Sequence, residues 1–269
     1  MFSGTGTALL TPFNEDLSID YKSLKILIEN QISNGVNAIV VLGTTGESPV
    51  IDEEERRKLV DESVSIVQGR VKVIIGTGTN DSRKVVKYNK IAKQYSADGL
   101  LIVNPYYNKS TQTGLVEHYK FISDQTDLPI ILYNVPSRTS MNMLPETILK
   151  IHDTCKNVIA VKEASGDISQ IAKLCAMKSK SLEVISGNDD QTLPIAALGG
   201  RGVISVFSNV FPKEMSDLTN AILKNDFIEG LRLHNKFLRM MNLLFIETSP
   251  IPVKYLASAK GLCKNIFRL

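Results

Sequence analysis

Eight short runs rich in Val, Ile or Leu recur along the 269 residues at intervals of about 19 to 33, with amphipathic segments between them. The runs are Thr7–Pro12, Ala38–Gly43, Val71–Gly76, Gly99–Pro105, Pro129–Val135, Val158–Lys162, Glu183–Gly187 and Gly202–Val206. Most are continuously apolar rather than alternating with polar residues. That pattern marks strands buried on both faces, as in a parallel sheet covered by helices. The interval is that of one βα unit, and eight such units close a barrel. An open doubly wound sheet is the competing arrangement, but no Gly-x-Gly-x-x-Gly follows the first run to favour it. The expected fold is therefore α/β, a (β/α)8 TIM barrel over residues 1–223. Eight strands need only one closing helix, so the helical patterns of 224–269 should form a C-terminal helical appendage. No Pro/Gly/Ser linker separates the two, so the appendage should pack on the barrel.

Helix boundaries carry their own signals. Leu24, Leu27 and Ile28 repeat at helical spacing, as do Leu59, Val60, Val64 and Val67. Asp20 and Asp52 are N-cap residues, and Glu55 completes a capping-box pattern with Asp52. Ser82 opens the third helix, and Pro145-Glu146 suits a first helical turn. Gly35 stands where a C-cap is wanted before the second strand.

Composition excludes several classes. The 31 basic and 28 acidic residues are well mixed, and no basic block marks a nucleic-acid or membrane footprint. Cys155, Cys175 and Cys263 are odd in number and far apart, against a disulfide framework or a zinc site. The first ten residues lack a signal-peptide pattern, and no run of eighteen apolar residues is present. A soluble, cytoplasmic protein is expected.

In such barrels the reacting groups sit where strands end and βα loops begin. The sixth run ends in Ala160-Val161-Lys162-Glu163, and strand alternation puts Ala160 and Lys162 on one face, Ile159 and Val161 on the other. By itself Lys162 reads as a strand-end lysine whose ammonium snorkels to water. Held in an apolar site instead, an amine becomes a usable nucleophile. The other strand ends bear on that choice. Gly43-Thr44-Thr45-Gly46 is either a tight turn or a carboxylate cradle of hydroxyls and backbone N–H groups. Tyr106 and Tyr107 are loop aromatics that commonly anchor an interface. Tyr133 could fill the barrel core or exchange protons with Lys162 and a substrate. Arg138 makes either a surface ion pair or a carboxylate clamp. Gly187 permits close backbone approach or marks a bend. His118, His152 and His234 are scattered, suggesting neither a metal site nor a triad. An amine, a phenol, paired hydroxyls and a guanidinium converging on one barrel mouth suit Schiff-base chemistry on a keto acid and an aldol-type lyase.

These strand ends also resemble those of the dihydrodipicolinate synthase family of pyruvate-dependent class I aldolases, which includes N-acetylneuraminate lyase. The resemblance runs from about Gly4 to the last residue. It is most specific at Gly43-Thr44-Thr45-Gly46-Glu47-Ser48, Pro105-Tyr106-Tyr107-Asn108-Lys109, Tyr133-Asn134-Val135-Pro136-Ser137-Arg138-Thr139, Val161-Lys162-Glu163-Ala164-Ser165, Ser186-Gly187-Asn188-Asp189-Asp190 and Pro250-Ile251-Pro252-Val253-Lys254. It implies that Lys162 forms the Schiff base with pyruvate, so that no metal or separate cofactor is required. It also implies that Tyr133 relays protons through Thr44 to a Tyr107 arriving from a neighbouring subunit. Thr45 would bind the pyruvate carboxylate, with backbone of Gly187 and Ile204 lining the pocket. Arg138 would clamp the carboxylate of L-aspartate 4-semialdehyde, which favours synthesis of the diaminopimelate and lysine precursor over sialic-acid cleavage. A homo-oligomer follows from the shared relay, a homotetramer by the family pattern. Two rivals are another pyruvate aldolase acting on a sugar acid, and a silent barrel that only binds a keto acid or scaffolds an assembly.

Two departures from the family pattern stand out. Feedback-sensitive members bind lysine near the positions of Ser48, Asn80 and Tyr106, using histidines and an acid. The matching positions here are Glu53, Arg56 and Lys84, and a basic Lys84 predicts weak or absent lysine inhibition. The sequence also ends at Phe267-Arg268-Leu269, one or two helices before the usual family length. That is either a natural shortening, expected to weaken assembly or stability, or a clipped chain.

Overall fold

The computed structural model describes residues 3–268. Eight parallel strands close into a barrel in sequence order: β1 (Gly4–Ala8), β2 (Ala38–Val41), β3 (Lys72–Gly76), β4 (Gly99–Val103), β5 (Ile130–Asn134), β6 (Val158–Glu163), β7 (Glu183–Ser186) and β8 (Gly202–Ser205). Helices surround it: α1 (Tyr21–Ser33), α2 (Glu53–Val67), α3 (Ser82–Gln94), α4 (Gln112–Ser123), α5 (Pro136–Thr139), α6 (Pro145–Thr154), α7 (Ile168–Met177), α8 (Thr192–Ala197) and α9 (Pro212–Leu223). Two further helices follow, α10 (Phe227–Leu243), which packs on α9, and α11 (Ile251–Ala259). The chain is thus a TIM barrel, as its eight runs predict. No helix among the described residues is long and apolar enough to cross a membrane.

The helix starts follow the sequence signals. Asp20 accepts from the Ser23 backbone N–H, and Asp52 and Glu55 form the full capping box at α2. Gly35 takes a positive φ of 82° just past α1, a backbone that residues with a Cβ rarely adopt. At α3 the capping side chain is Asp81, with Ser82 as the first helical residue.

Two layers of apolar side chains fill the molecule. The outer one lies between the strands and the helices. The inner one fills the barrel with Ala8, Ala38, Val40, Ile74, Leu101, Ile131, Ala160, Ile185 and Ile204. The converging inner face has little room, which is why β1 is Gly4-Thr5-Gly6-Thr7-Ala8 rather than the apolar run Thr7–Pro12. Its small residues face inward. Thr5 and Thr7 face the helices, where their hydroxyls bond Thr219, Gln31 and Ser208. Leu9 and Leu10 are buried just beyond the strand. A second correction concerns Ile159. Pairing slips between Ile130↔Val158 and Ile131↔Ala160, so Ile159 is an extra, bulged residue packed against the inner cluster instead of sharing the outer face with Val161.

His118 on α4 is a buried histidine. Its Nδ1 pairs with the Ser82 hydroxyl at 2.8 Å, and burial pushes its pKa down to about 4. Between about pH 6.5 and 4, His118 therefore binds fewer protons in the folded chain than in the unfolded one. Stability from this group is lost as pH falls from 6.5 towards 4, by about 3 kcal/mol at the limit. His118→Gln keeps a hydrogen-bonding side chain but cannot titrate. Its melting temperature should fall less between pH 6.5 and 4.5 than the parent's, and parallel curves would refute the assignment.

Candidate active site

The site begins with a register. In β5 and β6, Tyr133 lies opposite Lys162 and Asn134 opposite Glu163. Alternation sends the first pair into the barrel mouth and the second towards the helices. The outward pair is pinned. The Glu163 carboxylate accepts from Asn134 Nδ2 at 3.1 and 3.2 Å and from the Ser165 N–H at 2.9 Å, and Asn134 Oδ1 accepts from the Met143 N–H. Burial pushes the Glu163 carboxyl up, yet these donors hold it in place. A slip of one residue would break this network and turn both inward side chains outward, so the network fixes the inward pair.

Inside the mouth, Lys162 is only 5% exposed, and its Nζ lies 4.2 Å from the centre of the Tyr133 ring. The lysine thus shares a buried site with the phenol instead of reaching to bulk water. Gly187, just past β7, lies close to the lysine stem. A Cβ there would stand 2.6 Å from Ala164 Cβ and 3.0 Å from Lys162 Cε, so a larger residue would force the strand end or the lysine stem to shift. Ile204 on β8 fills the inner layer opposite Gly6 of β1.

From Tyr133 a cavity of about 320 Å³ opens over the ends of β2 to β5. Of the eight residues assigned to the Schiff-base site, Thr44, Tyr133 and Arg138 line it, whereas Lys162, Thr45, Tyr107, Gly187 and Ile204 are outside its lining. Thr45 is buried in the same 3-10 turn, Thr44–Gly46, that presents Thr44. Arg138 is exposed on α5, and its guanidinium is aimed by one bond to the Ser249 carbonyl at 2.8 Å. Among the described residues, no hydrogen bond joins the Tyr133 hydroxyl to Thr44. Tyr107 stands apart: it is 94% exposed, at φ 70°, in the loop after β4. The far end of the cavity holds Ser48, Asn80, Tyr106, Arg56 and Lys84, with the buried Arg56 stacked on Tyr88. Glu53 lies outside this lining, on the surface, paired with Arg57 and Lys87.

Two groups at the mouth stand in segments that carry the family resemblance but have no role assigned from the sequence. Asp189 is fully buried, and its Oδ2 accepts from the N–H groups of Val206 and Phe207 at 3.1 and 2.9 Å, tying the β7 loop to the β8 loop. Burial raises its pKa to about 6. The other is Glu47 with Lys254. Both carry ordinary surface-type side chains, and only their partners, distant in sequence, reveal them as buried.

Comparison with known proteins bears on the whole chain. The family model described as the dihydrodipicolinate synthetase family matches residues 1–269. A 4-hydroxy-tetrahydrodipicolinate synthase from Clostridium tetani is 48% identical over 269 residues, all of this chain and 91% of that protein. The crystal structure of dihydrodipicolinate synthase from Thermotoga maritima superposes with a TM-score of 0.98 at 47% identity, covering all of this chain and 92% of the other. The chloride-inhibited dihydrodipicolinate synthase from Acinetobacter baumannii, solved complexed with pyruvate, does so with a TM-score of 0.98 at 37% identity and the same coverage.

Proposed function

The chain belongs to the dihydrodipicolinate synthetase family, and from that membership we propose how its barrel mouth performs the family's chemistry. It is a lyase with the activity of a 4-hydroxy-tetrahydrodipicolinate synthase, which serves diaminopimelate and lysine biosynthesis. In the proposed mechanism, Lys162 Nζ attacks the carbonyl carbon of pyruvate, and loss of water from the carbinolamine leaves an iminium. The iminium withdraws electrons, so the methyl group gives up a proton and becomes an enamine nucleophile. That carbon attacks the aldehyde of L-aspartate 4-semialdehyde. The substrate's own amine then displaces Lys162, closing the ring and freeing the enzyme.

The observation that carries this reading is the buried Lys162 amine set against the Tyr133 ring. Tyr133, whose ring lies against the amine, is assigned to pass protons at the carbinolamine and enamine steps. Thr45 and backbone beside Gly187 and Ile204 hold the pyruvate carboxylate. Arg138, aimed by Ser249, clamps the carboxylate of the second substrate, a task suited to a planar guanidinium. Thr44 links Tyr133 towards a second phenol. Tyr107 supplies that phenol to a neighbouring copy, because its own exposure leaves it free to leave its barrel. The working unit is then a homo-oligomer, with the tetramer as the form to look for, in the cytosol. The Schiff base itself supplies the electron sink, with no further cofactor.

Incubation with pyruvate and borohydride, followed by peptide mass analysis, tests the reading. An adduct on Lys162 is expected, together with turnover of aspartate semialdehyde and none of N-acetylneuraminate. An unmodified Lys162 would sink every aldolase reading, whereas an adduct with the opposite substrate preference would sink only the synthase.

A further inference from the structure

We propose that the buried Glu47–Lys254 pair is a positioning device that holds the Thr44–Thr45 turn in place from α11, an inference that rests on the aldolase reading above. Glu47 directly follows the Thr44–Gly46 turn, donates its N–H to the Thr44 carbonyl at 3.1 Å, and sits in the left-handed region at φ 54°. A residue with a Cβ adopts that backbone at some cost, which local bonds can offset. At Glu47 the side chain supplies buried bonds of its own. Glu47 and Lys254 are each 0% exposed as side chains and form an ion pair across 207 positions of sequence. The second carboxylate oxygen of Glu47 accepts from the Arg268 N–H at 3.0 Å.

Lys254 uses all three of its donors. Besides Glu47 it bonds the carbonyls of Thr11 at 3.0 Å and Ile266 at 2.9 Å, and its ammonium faces the rings of Phe13 and Phe267. Thr11 in turn donates its hydroxyl to the Gly46 carbonyl at 2.7 Å. The turn that presents Thr44 and Thr45 is therefore gripped at both Gly46 and Glu47 by one network running from the end of β1 to α11 and the segment after it.

Such a pair is a poor device for stability alone. Desolvating two charges offsets most of their attraction, and apolar replacements of similar volume are commonly as stable. What a short, fully bonded pair does supply is a fixed distance. Hydroxyls that must meet a carboxylate and a phenol at hydrogen-bonding range depend on that, since a misplacement of about 1 Å slows a reaction by about 100-fold.

The test compares three variants with the parent, assayed well below their melting temperatures. Glu47→Gln/Lys254→Met removes both charges at similar volume and leaves no unpaired buried ion. Glu47→Asp keeps both charges and shortens the reach by one methylene, and it decides the matter if the double variant fails to fold. Ile151→Ala, in the outer core on α6, is a control that loses stability far from the turn. Expected for the double variant is a pyruvate KM raised about 10-fold and kcat lowered about 10-fold, with the semialdehyde KM changed less than twofold; Glu47→Asp should move the same way by severalfold. Borohydride should still trap pyruvate on Lys162 at raised pyruvate concentration. Parent-like kinetics in whichever of the two turn variants folds, with only a lower melting temperature as in Ile151→Ala, would overturn the proposal. So would an equal rise in both KM values. A parent that itself fails to trap pyruvate would instead overturn the aldolase reading, which keeps the two failures apart.

Discussion

Replacing Lys162 by alanine should abolish turnover, by at least about 10⁴-fold in kcat/KM, while leaving the barrel folded. That factor corresponds to about 5.5 kcal/mol of lost transition-state stabilisation. The size follows from the chemistry: without the amine there is no iminium, and no neighbour can replace it. Glu163 points away from the mouth, and Tyr133 can pass protons but has no nitrogen to condense with a ketone. The fold should survive because Lys162 faces the Tyr133 ring and makes no ion pair among the described residues; the buried Asp189 carboxyl loses only a favourable charge nearby and keeps its bonds to the Val206 and Phe207 N–H groups. The borohydride adduct should vanish with the activity. Retention of either an adduct elsewhere at full yield or more than a hundredth of parental kcat/KM would move the Schiff base off Lys162.

Tyr133→Phe should give the second-largest loss, about 10²–10³ in kcat, in the lower part of the range of about 10²–10⁴ for one positioned proton-transfer group. The ring stays, so the packing beside Lys162 and the inner layer are preserved and the melting temperature should hardly move. Pyruvate KM should change little, because the phenol is assigned to proton transfer and not to holding the carboxylate. Borohydride should still trap pyruvate on Lys162, but more slowly, since carbinolamine dehydration loses its proton donor. A raised pyruvate KM at unchanged kcat would make Tyr133 a binding residue and pass the proton work to another group.

How far the site was legible depends on the range of the interaction concerned. Lys162 and Tyr133 were visible because each ends an apolar run, and strand alternation is a local rule that fixes which way each points. Thr44, Arg138 and Gly187 were visible for the same reason, as residues at the first positions after a strand. Ile159 was misassigned because a bulge is set by the neighbouring strand's register, which leaves no mark on its own residues. The Gly4–Ala8 strand was misplaced because the barrel interior demands small residues there, and a hydrophobic pattern cannot register a strand made of glycine and threonine. Tyr107 could be recognised as a loop aromatic, but its 94% exposure is a fact of the loop's path.

The sequence by itself determined the architecture: eight βα periods, their caps, and the strand ends where chemistry-bearing residues stand. These follow from short-range physics, in which each element's apolar period and capping residues are written within about fifteen positions. Only the tertiary structure decided what holds the site in shape. Tyr133 meets Lys162 through a register pinned by Asn134 and Glu163, and the β7 and β8 loops are joined through Asp189. The Thr44–Thr45 turn is gripped by Lys254 from more than two hundred residues away. A buried charge or polar group costs free energy unless it is paired or hydrogen-bonded, and closing the barrel brings these partners together. No window of sequence contains both.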